Sequence, residues 1–296
     1  MQLSLFSVSY AGYWGQDSLY LPAFIAKAAE LGYSSVMLAG KRPHLSPLDV
    51  SADRLTAIKQ MLDEHKVRCG VIGGYTDLRP ADSAEVPYLE MQIAYVESLS
   101  RMAVALGAHV VRVFTAYEVA GQSPLSAHAT VVRTLQEMCD RAAAHGVTIA
   151  VQNHHDIGVQ TDWLLEILSD VDRPNCKVGF DAWSLALRGE DLYEAARKIA
   201  PHTVITTNAD YIRLQRFHYQ PELVNYRSEQ TDVVRAVKFG EGCIDYEAFF
   251  RGLTDGGFDG IANYEMCSPI RGGGSLANLD AYATHYLKWM REKVTR

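Results

Sequence analysis

Short runs of β-branched and other apolar residues alternate with longer amphipathic stretches along the whole of this 296-residue chain. The alternation predicts a strand followed by a helix, repeated eight times. The predicted strands span residues 3–9, 33–39, 67–75, 109–115, 147–153, 176–181, 202–208 and 260–265. Glycine stands between a predicted helix and the next strand in LGYSS, LGAHV, HGVTI and GGFDG, where a helix end favours a left-handed residue. Eight βα units with right-handed crossovers predict a parallel sheet closed into a (β/α)8 TIM barrel of the α/β class.

A doubly wound open sheet is the alternative to a closed barrel. Its nucleotide-binding fingerprints are missing, because no GxGxxG follows the first strand and no GxxxxGK[ST] occurs in the chain. No change of composition marks a linker, so we predict one domain over residues 1–296. The βα loops after strands 2 and 7 are predicted to be long. The second of these, residues 209–240, is rich in Tyr and Arg, and connections of this length are usually functional or disordered.

Composition excludes several classes of function. The formal net charge is −7 and no basic stripe is visible, so we expect no nucleic-acid partner. No run of 18 apolar residues occurs, and MQLSLFSVSY lacks the basic start and apolar core of a signal peptide. The five cysteines are widely spaced without a CxxC pair, which argues against a structural zinc site or a disulfide framework. We expect a cytoplasmic protein with reduced thiols, no membrane partner and a small-molecule substrate. Association into a homo-oligomer is left open.

Polar residues gather at the carboxyl ends of the predicted strands, where (β/α)8 barrels carry their chemistry. The opposite strand ends are mostly Gly, Val or Ala. Substrate contacts are expected from Arg42, His44, Tyr75, Arg112, Asp210 and Arg213. Other candidates at these ends are Gln152, His154, His155, Asp181, Asn208 and Glu265.

Three stretches, VTIAVQNHHD, VGFDAWSLALRGEDL and FGEGCIDYEAFFRGLTDGGFDGIANYEMCSP, resemble the xylose isomerase-like sugar isomerase/epimerase superfamily. The resemblance covers nearly the whole chain. It implies a divalent metal held by a Glu on strand 5, an Asp on strand 6, a His on strand 7 and a Glu on strand 8. Asp181 and Glu265 match two of these positions. Gln152 replaces the strand-5 Glu, and the strand-7 His falls on Thr207, with Asn208 as the neighbouring alternative.

The resemblance therefore implies a metal site built from Gln152, Asp181, Asn208 and Glu265. Oxygen donors of this kind favour Mn or Mg over Zn. The metal would polarise a carbonyl and stabilise an enediolate, with Glu265 as base and metal ligand. His154 or His155 would carry a proton to oxygen. Strand alternation places His154 on the face of Gln152 and turns the adjacent His155 to the opposite face.

The expected activity is isomerisation or epimerisation of a sugar or keto-sugar. Because Gln152 cannot act as a base, a one-base reaction is favoured over a two-base epimerisation. A lyase that performs β-elimination or dehydration is the alternative, as is a non-catalytic sugar-binding relative with a degraded metal site. DNA repair hydrolysis would need a His-rich cluster of about three metals and a basic groove, which the sequence lacks. The simplest alternative role for Asp181 is a helix N-cap.

Overall fold

Eight parallel strands form a closed barrel in a computed structural model that describes residues 1–80 and 85–294. The barrel strands are β1 (Gln2–Phe6), β2 (Ser35–Ala39), β3 (Arg68–Gly73), β4 (Val110–Phe114), β5 (Thr148–Gln152), β6 (Cys176–Phe180), β7 (Thr203–Asn208) and β12 (Ile261–Tyr264). β12 pairs with both β7 and β1, which closes the barrel. The predicted fold and all eight predicted barrel strands are confirmed.

Helices cover the outside of the barrel. They are α1 (Leu21–Glu30), α2 (Ala52–Glu64), α3 (Tyr88–Ala105), α4 (Pro124–Ala143), α5 (Thr161–Val171), α6 (Ala182–Arg188), α7 (Leu192–Ile199), α8 (Tyr246–Asp255) and α9 (Leu276–Lys293). Gly32 and Gly146 follow α1 and α4 with φ of +87° and +67°, as the junction motifs predict. No helix in the described ranges is long and apolar enough to cross a membrane.

The short helix α6 is an addition to the eight predicted helices. It begins directly after β6, because Asp181 caps its first turn, and it ends at Gly189 with φ +74°. Its seven residues give too short an apolar pattern to be distinguished from a loop by periodicity. The helix matters for the site because its first turn fixes the side chain of Asp181.

The connection after β7 contains strands rather than only the loop that we predict. β8 (Asp210–Leu214) pairs with β11 (Val233–Val237), and β9 (Phe217–Gln220) pairs with β10 (Asn225–Ser228). Both pairs are antiparallel ribbons. The β9–β10 ribbon is largely exposed, so its sequence lacks the apolar alternation of a half-buried strand. The connections after β1 and β3, residues 7–20 and 74–87, also exceed the connection after β2, residues 40–51.

The barrel interior is filled by a small apolar cluster and one arginine. The cluster comprises Phe6, Val8, Met37, Ala39, Val71, Ala150 and Ile205. Arg112 on β4 is 1% exposed, and its guanidinium carbon lies 5.6 Å from the centroid of the Phe6 ring. Gly73 on β3 leaves room among these side chains, since a Cβ atom there would lie 2.8 Å from Met37 Cε, 2.9 Å from Phe6 Cζ and 3.2 Å from Arg112 Nη2. A glycine on a neighbouring strand therefore helps to accommodate a charged side chain inside the barrel.

Candidate active site

A cavity of about 670 Å³ opens at the carboxyl ends of the barrel strands. Many aromatic residues line its walls, and its polar groups come from six strands or strand ends and from α3. The aromatic residues are Phe6, Trp14, Tyr75, Tyr88, Phe114, Tyr117, Trp183 and Tyr211. The charged, amide and imidazole groups are Lys41, Asp77, Gln92, Arg112, Gln152, His154, His155, Asp181 and Glu265. A cavity of this size and lining suits a small ligand.

Glu265 follows β12 directly and lines this cavity. Its backbone N–H donates to the carbonyl of Asn208 at 3.0 Å, which ties the residue to the end of β7. Burial raises the pKa of its carboxyl group, while the charge of Arg112 and a hydrogen bond from the Cys267 thiol oppose that rise. A carboxylate in such surroundings is a stronger base than one in water.

Asp181 reaches the same cavity from the end of β6 and is 3% exposed. The backbone N–H of Trp183 donates to its Oδ1 atom at 2.6 Å, so the side chain also caps α6. Burial, and then the charge of Glu265, raise the pKa of Asp181 to about 7 despite this hydrogen bond. The alternative role as an N-cap is thus real, but it does not remove the carboxyl group from the cavity. A carboxyl group that titrates near neutral pH suits proton transfer.

Asn153 holds the backbone of Asp181 in place. Its Oδ1 accepts from the Asp181 N–H at 2.7 Å, and its Nδ2 donates to the Asp181 carbonyl at 2.9 Å. The side chain therefore mimics a strand and extends the β5–β6 ladder by one residue. Asn153 is fully buried, so both bonds form away from water.

We expect Asn153→Ala to lower the free energy of unfolding by about 2 kcal/mol, because two buried backbone groups lose their partners. Turnover should fall as well, since Asp181 loses its anchor. Urea denaturation measures the first effect. Asn225→Ala, in the exposed strand β10, is the matched control and should change stability little. Unchanged stability of the Asn153 variant would contradict the anchoring role.

Gln152 links three barrel strands through its amide group. Its Nε2 donates to Thr207 Oγ1 at 2.8 Å and lies 3.5 Å from Asp181 Oδ2. Its Oε1 is buried without a hydrogen-bond partner. This orientation is the one that Asp181 favours, because an ionised carboxylate only accepts hydrogen bonds. Gln152 thus supplies a donor to Asp181 at the position where the resemblance implies a carboxylate metal ligand.

The donor set does not fit the divalent metal that the resemblance implies. Within residues 1–80 and 85–294, no three His, Cys, Asp or Glu side chains are grouped so that they could hold a metal ion. One carboxylate oxygen of Asp181 accepts a hydrogen bond from the first turn of α6, and the other faces the amide N–H of Gln152. Glu265 already lies in the field of Arg112, a cation that would repel a second one.

Asn208 is not in a position to serve as a metal ligand, which corrects the expectation. Its Nδ2 donates to Thr206 Oγ1 at 2.6 Å and to the Asn263 carbonyl at 3.0 Å, and lies 3.3 Å from the Tyr286 hydroxyl of α9. The side chain therefore points out of the barrel towards the helices. Successive residues of a strand alternate, so its neighbour Thr207 faces the interior instead.

His154 and His155 both line the cavity, although alternation predicts opposite faces. β5 ends at Gln152 and the chain turns there, so alternation no longer applies. The Nε2–H group of His155 donates to the Thr76 carbonyl at 3.2 Å, and its ring stacks on Tyr117 with centroids 3.8 Å apart. Burial lowers the pKa of His154 to about 4 and of His155 to about 3. Both imidazoles are therefore uncharged at neutral pH and can accept protons only weakly.

Two expected substrate contacts after β2 lie elsewhere. The ring of His44 packs on Phe24, and its Nε2 lies 3.0 Å from the Leu19 carbonyl. Arg42 is exposed and forms an ion pair with Asp49 at 2.6 Å. Both side chains contact the connection itself, and neither is among the residues that line the cavity.

The two expected contacts after β7 are structural as well. Asp210 Oδ2 accepts from the backbone N–H groups of Gly240 and Gly242 at 2.9 Å and 2.8 Å. Gly242 has to be glycine, because a Cβ atom there would collide with this carboxylate. Arg213 donates to the Ala186 carbonyl at 3.0 Å on the surface. Of the six expected contacts, Tyr75 and Arg112 are the two that line the cavity.

Lys41 is a cavity residue that sequence reasoning left out of the site. Its Nζ lies 3.7 Å from the centroid of the Tyr75 ring and 4.9 Å from that of Tyr13. Burial and the charge of Arg112 lower the pKa of this lysine. Its position in the sequence could have indicated a site residue, since Lys41 is the first charged residue after the carboxyl end of β2.

Comparisons with known proteins agree with the observed fold. A family model described as a xylose isomerase-like TIM barrel matches residues 25–293. No curated protein matches the sequence significantly. Among solved structures, the probable 3-DHS dehydratase AsbF from Bacillus anthracis is 16% identical, with a TM-score of 0.74 over 98% of this chain and 99% of that one.

Two further solved structures are similar over almost their whole length. D-psicose 3-epimerase from Clostridium cellulolyticum H10 is 16% identical, with a TM-score of 0.73 over 99% of each chain. A xylose isomerase domain protein from Planctomyces limnophilus is 20% identical, with a TM-score of 0.69 over 100% of this chain and 97% of that one. At such identities these likenesses establish the fold.

Proposed function

The chain belongs to the xylose isomerase-like TIM barrel family, and from this premise we propose that it is an enzyme of sugar isomerisation. Its substrate is a small sugar or keto-sugar, and its reaction begins by removing a proton from the carbon next to a carbonyl group. One observation carries the proposal: Asp181 and Glu265 face the same aromatic-walled cavity, and burial raises the pKa of both.

The two carboxyl groups divide the proton transfers between them. Glu265 accepts the proton from carbon, and the electrons of the broken C–H bond form the C=C bond of an enediol. Asp181, protonated in part near neutral pH because its pKa is about 7, gives its proton to the carbonyl oxygen. Glu265 then returns the first proton to the neighbouring carbon, while ionised Asp181 takes the proton from the other enediol oxygen. These transfers complete an aldose–ketose isomerisation and restore both carboxyl groups to their starting states.

The aromatic walls bind and orient the sugar. The rings of Trp14 and Trp183 line the cavity, and so do those of Tyr75 and Tyr211, which are far apart in the sequence. Tyr211 belongs to β8, so the antiparallel ribbon after β7 supplies part of the wall. The C–H faces of a sugar pack against such rings while its hydroxyl groups meet the polar groups.

A lyase reaction is the second candidate, because the raised pKa of Asp181 would also let it protonate a leaving group. After Glu265 removes the proton, the same electrons can expel a substituent from the β-carbon instead of waiting for reprotonation. A protonated Asp181 would then neutralise the departing oxygen. The product would be unsaturated, which distinguishes elimination from isomerisation.

The direct test is incubation of aldoses, ketoses and keto-glycosides in D2O with NMR detection, with and without added Mn. We expect a one-base outcome, because Gln152 has no proton to exchange near neutral pH. An isomerase would transfer part of the original hydrogen between adjacent carbons, whereas a lyase would yield an unsaturated product. Clean inversion with full deuterium at the inverted carbon would instead reveal a second base, and His154 would be the first residue to replace. Absence of exchange and of product across the panel would contradict the proposal.

A further inference from the structure

Arg112 is the central charge of the cavity. Its Nη1 donates to the Gly74 carbonyl at 2.9 Å, and its guanidinium carbon lies 4.0 Å from the centroid of the Phe114 ring. Its Nε is buried without a hydrogen-bond partner. The guanidinium group therefore has hydrogen-bonding capacity that the protein itself does not use.

Lys41 approaches the same place from the end of β2. Its ammonium group and the guanidinium group of Arg112 both contact the Tyr75 ring, at 3.7 Å and 4.9 Å from its centroid. Both side chains line the cavity. Burial, and then the charge of Arg112, lower the pKa of Lys41, so the two cations repel each other, and this arrangement destabilises the fold unless an anion binds between them.

Glu265 lies in the field of Arg112, but it does not form an ion pair with it. In the described part of the chain, none of the ion pairs within 4.0 Å involves Arg112 or Lys41. A buried, unpaired cation is expensive for a folded protein, so a purely structural role would favour an apolar side chain at position 112. The cost points to a function for the charge.

We propose that Arg112 and Lys41 replace the divalent metal as the electrophile of this site. Resting on the proposed function, the inference is that they bind the carbonyl oxygen and adjacent hydroxyl oxygen of the substrate. They then stabilise the negative charge that develops when Glu265 removes the proton. Together the two protonated side chains carry the formal charge of one divalent ion. The reaction of this chain is accordingly independent of metal.

Manganese binding tests the metal half of the inference without turnover. Electron paramagnetic resonance of Mn²⁺ should show the ion free in the presence of the wild-type protein. The Gln152→Glu/Thr207→His variant, which restores the four-ligand set of the family, should bind it. Stoichiometric Mn²⁺ binding by the wild type that is lost in Asp181→Asn would overturn the proposal.

Oxalate tests the cationic half, because it is a planar dianion with the oxygen spacing of an enediolate. Trp14 and Trp183 line the cavity, so their fluorescence reports binding. With EDTA present, we expect the wild type to bind oxalate, and Lys41→Met and Arg112→Met to bind at least tenfold more weakly, a loss of about 1.4 kcal/mol. Arg112→Lys should keep part of the affinity. Arg68→Met, exposed at the opposite end of the barrel, is the control and should bind like the wild type.

Two results would overturn the cationic role: no oxalate binding by the wild type without metal, or wild-type affinity in Lys41→Met. Lys41 is partly exposed, so we expect Lys41→Met to fold. This variant therefore still tests the proposal if Arg112→Met fails to fold. Neither measurement uses turnover. Metal-free oxalate binding without proton exchange in D2O would contradict the proposed function alone, whereas exchange that requires Mn would contradict this inference alone.

Discussion

Glu265→Gln is expected to lower kcat/KM at least a thousandfold, about 4 kcal/mol of transition-state stabilisation. The amide cannot take a proton from carbon, although it keeps the shape of the side chain. The fold should be unaffected, because the backbone N–H of residue 265, rather than its side chain, joins it to β7. Steady-state kinetics on the substrate identified in D2O measures the loss, and circular dichroism checks the fold.

Glu166→Gln is the matched control for this variant. Glu166 lies exposed on α5, so its replacement should leave both kinetics and stability unchanged. Retention of more than roughly a tenth of the wild-type kcat by Glu265→Gln, a loss below about 1.4 kcal/mol, would show that Glu265 is not the essential base.

Asp181→Asn should have opposite effects on activity and stability. The pKa of Asp181 is about 7 in the folded protein, against an ordinary value of 3.8. Between these values the folded state holds a proton that the unfolded state releases, so stability falls as pH rises through this window. Asparagine does not ionise and also accepts hydrogen bonds at a helix N-cap. We therefore expect the variant to gain roughly 2–4 kcal/mol at about pH 8, and nothing from this source at about pH 4.

Urea denaturation at both pH values measures this gain. Asp245, which accepts from the Ala248 N–H and caps α8 in an exposed position, offers a matched control. Asp245→Asn should change stability little at either pH. If Asp181→Asn were less stable than the wild type at the higher pH, the ionised carboxylate of Asp181 would not destabilise the folded protein. Turnover of Asp181→Asn should fall, because the proton donor to oxygen is lost.

The effects expected of Glu265→Gln and Asp181→Asn have one cause, the desolvation of charged groups in the cavity. Desolvation of two carboxyl groups and an arginine destabilises the fold, since residues 1–80 and 85–294 bring no complete metal-ligand set together there. The same desolvation tunes the groups for proton transfer. Gln152 reduces this destabilisation by donating hydrogen bonds to Asp181 and Thr207. The amide thus replaces a charged ligand with a neutral hydrogen-bond donor.

The barrel and the end of it that carries polar groups could be predicted from the sequence. Periodicity distinguishes buried strands from amphipathic helices, and strict alternation of the two permits few topologies. Position at a strand end placed Asp181 and Glu265 among the candidates, the family resemblance singled them out, and the structure brings both to one cavity. Local patterns suffice here because both residues directly follow the last residue of their strands.

Tertiary structure alone decided which way the remaining candidates point. Alternation is a property of the hydrogen-bonded ladder, so it places Thr207 inside the barrel and Asn208 outside, but it fails for His154 and His155 beyond the end of β5. The positions of Arg112 and Lys41 depend on contacts between residues that are still further apart in the sequence. Gly73 on β3 leaves room for Arg112 and its neighbours inside the barrel, and Lys41 and Arg112 both contact the ring of Tyr75. Since these residues lie on different strands, their contacts arise only when the barrel closes.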